Sequence, residues 1–268
     1  KNDNGNKRKL SKRKDPEAAV EYYKEEGIPP IVVKEYLLNI ANSNFENWRR
    51  ANPDKGLDEF DFQLNKMSVS GALFDMVKLL DIGKTVISKM SAEEVYENAL
   101  EWAKEYDKEL EEMLEDKEFS LKVLGIERGN KKPRKDIAKW SDVKNSIIYM
   151  YDKKIFEGNV TYDYAKISDK EEIRKILKSY IEKHFDINDD KDMWFNKIKE
   201  LAEEMGYARE VKEFKANPEN WPGHVGDIST VLRVALTGRQ NTPDMYEIMQ
   251  VLGKDSVIKR LEKAMENE

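Results

Sequence analysis

The residues best suited to chemistry sit near the start. In Lys9-Leu10-Ser11-Lys12-Arg13, two lysines three apart flank a small hydroxyl residue. On a mobile turn they can place two ammonium groups on one triphosphate and neutralise charge that builds as pyrophosphate departs. For the bare pentapeptide, the alternative is a solvated cationic arm. A second concentration of charge lies mid-chain. Over residues 89–118 four Lys stand against ten Glu and two Asp, a net of −8, whereas over 122–139 seven Lys or Arg stand against Glu127 and Asp136, a net of +5. That segregation predicts a local anion site on a body that otherwise repels anions, since the whole chain carries a formal charge of −6.

Other chemistries are poorly supplied. The chain has no cysteine, so disulfides, thiolate zinc sites and a cysteine nucleophile are excluded. Its two histidines, His184 and His224, are too few for a histidine-rich metal site, and none is expected. His224 in "WPGHVGD" reads as a loop or capping residue, and His184 as the cationic end of an amphipathic helix. No run approaches 18 apolar residues and no signal-peptide pattern opens the chain. The expectation is a cytoplasmic protein with no membrane partner.

The elements that position these residues read as helices. From Pro29 onward, Ile31, Val32, Tyr36, Leu37, Leu38, Ile40 and Ala41 follow the spacing of one buried face. "NSNFENWRRANPDKG" then reads as a loop. A helix follows in "ALFDMVKLLDIGKTVISK", and Ser91 with Glu94 forms a reciprocal cap at the head of another. Ser168 with Glu171 repeats that signature, Gly206 reads as a helix stop, and Thr242 before Pro243 reads as an N-cap. Trp102, Trp140 and Trp194 lie on apolar stripes and read as core. With no sustained alternation and no internal repeat, the class is all-α, and the length of 268 residues allows several domains.

"KLSKR" resembles the second signature of class I aminoacyl-tRNA synthetases, and the remainder is similar to bacterial glutamyl-tRNA synthetases. "VEYYKEEGIPPIVVKEYLLNI" resembles that family's "EEY..EG..PEALLNYL", "SGALFDMVKL" its "S.A.FD..KL", and "LRVALTGRQNTPDMYEIMQVLGKDSVIKRLEKA" its ending. The likeness runs in order from Lys9 to the end. It implies a helical, multi-domain C-terminal half, cut just before the second ATP signature, with the nucleotide-binding domain and its His-x-Gly-His turn upstream.

What the resemblance implies about residues is specific. Lys9, Ser11, Lys12 and Arg13 would bind ATP, with Lys9 and Lys12 catalytic and Lys12 stabilising the transition state. Arg134, among Lys131 and Lys132, would read the last anticodon base. Thr242, Pro243, Met245 and Tyr246 would meet the first two, with Arg233 near the anticodon. The bland alternative is that Arg233 complements its helix dipole and Tyr246 fills core.

Three pieces are expected: 1–90, the ATP-loop remnant and tRNA stem-contact region; 91–165 and 166–268, two helical anticodon-binding domains. The whole enzyme would activate glutamate with ATP and Mg²⁺ and transfer it to tRNA(Glu); this half alone, with no cofactor expected on it, would be an inactive monomer that holds the tRNA. A rival is a stand-alone helical RNA-binding or scaffolding module, which would have no use for Lys9 and Lys12. A glutaminyl-type enzyme, whose distal half is built of strands, fits the helical pattern poorly, as do the short glutamyl-queuosine relatives. Two departures stand out. Gly83 lies where the family has asparagine, and residues 43–65 are longer than the usual connection.

Overall fold

The computed structural model describes residues 2–3, 6–67, 71–158 and 160–266, without the side chains of 2, 3 and 6. Ser70, which falls in a stretch quoted above, lies outside them, as do Lys1, Asn4, Gly5, Ser68, Val69, Asn159 and the last two residues. Apart from a two-residue antiparallel ladder pairing Asn2 with Lys7 and Asp3 with Asn6, the described elements are helical, as the sequence predicts.

The chain forms two compact units. Unit 1 comprises residues 1–121 and 128–146; unit 2 comprises 122–127 and 147–268. Both expected boundaries, near 90 and 165, fall within a unit.

Unit 1 carries α1 (Val20–Glu25), α2 (Pro30–Ala41), α3 (Phe45–Ala51), α4 (Met76–Ser88), α5 (Ala92–Tyr106) and α6 (Lys108–Met113). Helices α7 (Lys117–Gly125) and α8 (Ser141–Ile147) carry the chain across the unit boundary. Val32 and Tyr36 of α2 meet Leu79 of α4 in a core that includes Ile28. The Tyr36 hydroxyl accepts from the Asp75 amide at 2.6 Å, and the Asp75 carboxylate caps α4 by accepting from Val77 and Lys78. Ser91 and Glu94 make the expected reciprocal cap of α5.

The segment read as a loop contains α3. Its sequence lacks a long periodic stripe, so the helix is held by tertiary contacts. Phe45 is fully buried, packs edge-on to Phe60 at 5.0 Å, and lies beside Trp48, over which the Arg49 guanidinium sits at 5.1 Å. Asn42 closes the segment on itself. Its side chain accepts from the Asn44 amide and donates to the Gln63 carbonyl at 2.9 Å.

Gly83 has an equally local cause. A Cβ there would stand 2.3 Å from the Ala138 carbonyl oxygen, so the side chain is absent because two backbones touch.

Unit 2 carries α9 (Asp152–Glu157), α10 (Lys170–Ser179), α11 (Lys191–Glu204), α12 (Val211–Ala216), α13 (Val225–Thr237) and α14 (Met245–Glu266), which breaks at Gly253. Ile176, Leu177, Ile198, Leu201, Val231, Leu232 and Leu261 are fully buried in one core with Trp194. Gly206, at φ +79°, ends α11 as expected. The cap of α10 is Asp169 rather than Ser168: its carboxylate accepts from the Glu172 amide at 2.8 Å. His224 caps α13, its Nδ1 accepting from Gly226 while Asp227 accepts from the His224 amide.

The most buried charge in this unit is Arg260. Its guanidinium, with no exposed surface, donates to Asp152 and to the carbonyls of Tyr149, Met150 and Leu236. Burial pushes its pKa down and Asp152 opposes that, while guanidinium remains charged. It ties the last helix to the entry of α9 and the exit of α13.

Candidate nucleic-acid interface

Three groups of expected site residues can be followed into the structure. In unit 1, the Lys9–Arg13 segment turns around a carboxylate. Asp15 is fully buried and accepts from the Ser11 amide at 2.9 Å and from both arms of the Arg8 guanidinium at 2.6 and 2.7 Å. The Ser11 carbonyl in turn accepts from the amides of Lys14 and Asp15. With Arg8 drawn inward, Lys9, Lys12 and Arg13 are exposed and, among the described residues, make no ion pair. The sequence reading missed Arg8 and Asp15, because a pair seven residues apart on irregular backbone carries no periodic signal.

The second group is the basic loop after α7, also in unit 1. Arg128 is half-buried and donates to the carbonyls of Ile87, in the last turn of α4, and Met90, just beyond it. Burial lowers its pKa from the ordinary arginine value. Lys135 donates to the Thr85 hydroxyl at 2.9 Å, so both ends of the loop are stapled to the last turns of one helix. Between the staples, Lys131 and Lys132 are exposed. Arg134 is partly exposed, and its Nε donates to Asp136 at 2.6 Å. That bond fixes the plane of the guanidinium, which is what a directional contact to a base edge requires.

The third group lies in unit 2, where α13 turns back into α14. Arg233 projects from α13 and its Nη1 donates to the Thr242 hydroxyl, to the Pro243 carbonyl at 2.9 Å and to the Thr242 carbonyl at 3.4 Å. Arg233, Thr242 and Pro243 are therefore brought together. Thr242 is 5% exposed, so its hydroxyl serves this clamp and is not the helix cap. The cap is Asp244, whose carboxylate accepts from the Glu247 amide at 3.1 Å. The sequence reading placed the cap two residues early because Thr-Pro carries the N-cap pattern, while the hydroxyl is taken by an arginine nine residues back.

Met245 and Tyr246 point elsewhere. Met245 is 3% exposed in the core, and Tyr246 packs on Trp194 at 5.6 Å while its hydroxyl donates to the Asp189 carbonyl. Neither side chain extends freely toward solvent, so the flat surface they can offer is limited to the half-buried edge of Tyr246. Arg239, at the exit of α13, stacks over Tyr149 at 5.1 Å. Lys191 pairs with Asp244 at 2.8 Å, and that bond raises the lysine pKa.

Among the described residues no three His, Asp or Glu side chains group to hold a metal. No helix among them is long and apolar enough to cross a membrane.

Residues 223–265, which take in α13, the turn held by Arg233 and nearly all of α14, match the family model described as an anticodon binding domain. Across the chain, the glutamate–tRNA ligases of Acetivibrio thermocellus and Sorangium cellulosum are both 48% identical, covering 98% and 95% of it. The chain belongs to the glutamate–tRNA ligase family. It spans about half the length of the curated relatives it matches, 48% and 44% of these two. A glutamate tRNA ligase from Elizabethkingia meningosepticum, solved in complex with its amino acid, shares the fold at a TM-score of 0.61 and 20% identity, covering 97% of this chain and 49% of that one.

Proposed function

We propose that this chain is the tRNA-holding, anticodon-reading half of a cytoplasmic, monomeric glutamate–tRNA ligase. The Arg233 clamp on Thr242 and Pro243 carries the reading, because it rigidifies a proline-led helix entry within the stretch that matches the anticodon-binding family. Such an entry offers backbone groups and a flat surface to unstacked bases. Thr242, Pro243, Met245 and Tyr246 are assigned to the first two anticodon bases, with Arg233 holding their turn near the anticodon and Met245 acting from the core as support. Arg134, oriented by Asp136, is assigned to the third, and Lys131 and Lys132 to the phosphates around it.

The functional division follows the same order along the chain: residues 1–90 toward the inner bend of the tRNA, 91–165 and 166–268 toward the anticodon. Because the chain spans about half of its relatives, glutamate activation is assigned to the remainder of the enzyme. Lys9 and Lys12, with Ser11 and Arg13, would lend their charge to the phosphates of ATP, which brings Mg²⁺ with it and supplies the leaving pyrophosphate. Their exposure on a turn anchored by Asp15 suits that task, and the 268 residues alone are expected to aminoacylate nothing.

The test is binding of labelled tRNA(Glu) followed by fluorescence anisotropy. Substituting any anticodon base should weaken binding, and Arg134→Ala should abolish the difference at the third base alone. Affinity indifferent to all three bases would overturn the reading.

A further inference from the structure

We infer that Glu127 is a positioning residue for the anticodon-reading turn, an inference that rests on the function proposed above. Three observations within unit 2 lead to it. Glu127 is a non-glycine residue held at φ +57°, a left-handed conformation that costs free energy and persists only where surrounding contacts over-determine it. Those contacts reach across the chain to the head of α14. The Glu127 amide donates to the Glu247 carboxylate at 3.0 Å, while the Glu127 carboxylate accepts from the Asp244 amide at 3.1 Å. Backbone and side chain of one residue thus clasp one turn from two directions.

The clasp does something a helix cap does not. Asp244 already caps α14, using its own carboxylate on the Glu247 amide. Glu127 instead takes the amide of Asp244, the peptide that leaves Pro243, and so fixes the plane of the Pro243 carbonyl to which Arg233 donates. Arg233 holds the turn from α13 and Glu127 holds it from the far side. Three carboxylates, Glu127, Asp244 and Glu247, converge here, and Lys191 on Asp244 supplies the counter-charge that makes the arrangement tolerable.

The backbone and side-chain parts of this device separate by mutation. Glu127→Gly relieves the left-handed strain and deletes the acceptor, Glu127→Ala keeps the strain and deletes it, and Glu127→Gln keeps an oxygen acceptor without charge. Each 268-residue variant would be titrated with labelled tRNA(Glu) and with tRNA(Glu) altered at the first two anticodon bases, alongside its thermal unfolding curve.

The expected result is a loss of roughly fivefold in discrimination for both Gly and Ala, with Gln within about twofold of the parent and the salt slope of binding unchanged in all. Glu247→Ala, which cuts the other half of the clasp from a different element, should lose discrimination in the same direction and keeps the test open if a position-127 variant fails to fold. Full discrimination in Glu127→Gly, or equal loss in Gln and Ala, overturns the inference. A parent chain that does not discriminate at all overturns instead the anticodon reading beneath it.

Discussion

The loop after α7 and the turn before α14 are both assigned to the anticodon, yet they are built by opposite means. In the loop, Lys131 and Lys132 stand exposed between two staples, and beside them the bond from Arg134 to Asp136 orients a guanidinium. In the turn, the charged group faces inward. Arg233 turns its Nη1 onto Thr242 and Pro243, and so fixes the backbone of the turn. Exposed lysines attract phosphate at long range without regard to sequence, whereas a backbone fixed by internal bonds discriminates because its donors cannot rearrange to suit a wrong base. One region should therefore govern affinity and its salt dependence, the other specificity.

The sharpest way to break this contrast is Arg233→Ala. It leaves the Thr242 hydroxyl and Pro243 carbonyl without their charged donor, at a cost of about 2 kcal/mol, or roughly 30-fold if it appears wholly in recognition. Anticodon-dependent binding should fall by up to that factor while the salt slope holds. Arg233→Lys should recover part of the loss, because the contacts come from one nitrogen and an ammonium also carries three donors on one. A parallel shift in affinity for every RNA would mean the turn, too, works by charge.

Gly83→Asn attacks the loop from behind. The new Cβ meets the Ala138 carbonyl at 2.3 Å, a backbone atom with nowhere to retreat, so a destabilisation of roughly 1–3 kcal/mol and a lower melting temperature are expected. Since Ala138 follows the loop directly, third-base discrimination should suffer while discrimination at the first two bases survives.

Lys131→Ala combined with Lys132→Ala sharpens the contrast from the other side. Removing two phosphate contacts to a single-stranded loop should reduce the salt slope by about 1.4 and weaken every RNA by the same few-fold factor. Unequal weakening between matched and altered anticodons would give these lysines a part in readout.

The same contrast explains what could be read from sequence. The helical class, the Ser91–Glu94 cap and the Gly206 stop depend on neighbours within a turn, and all are found. The expected residues of the KLSKR turn, the basic loop and the 233–246 stretch likewise came from local motifs and resemblance. What escaped is non-local. Helix α3 is held by Phe45 against Phe60, Asp15 by an arginine seven residues back, and Glu127 by partners about 120 residues on. Thr242 misled for the same reason, since a hydroxyl taken by Arg233 cannot cap a helix. Gly83 read as a departure and became intelligible only once Ala138 was seen against it.

The smallest effect expected concerns acid. At the end of α10, Lys183 and His184 of the π-helical turn Tyr180–His184, with Ser179, surround Glu204; their hydrogen bonds hold its carboxyl at about 2, well below the ordinary 4.5. A carboxyl depressed in the folded state stabilises that state fully above pH 4.5 and loses the contribution as pH falls from there toward 2. Unit 1 has a counterpart in Asp107, where burial alone would raise the pKa but bonds from Lys144 and the Leu110 amide outweigh it and leave it lowered. Glu204→Gln should therefore lower stability slightly at neutral pH and flatten its fall between pH 4.5 and 2, while Asp107→Asn flattens the portion that unit 1 contributes. Glu204 is about one-third exposed, so solvent and salt screen the effect, and 1 M salt should shrink it further. If the Gln variant instead tracks the parent through that window in chemical denaturation, the three bonds around Glu204 follow the π turn and do not hold it, and Tyr180 packed beneath becomes what fixes the bend.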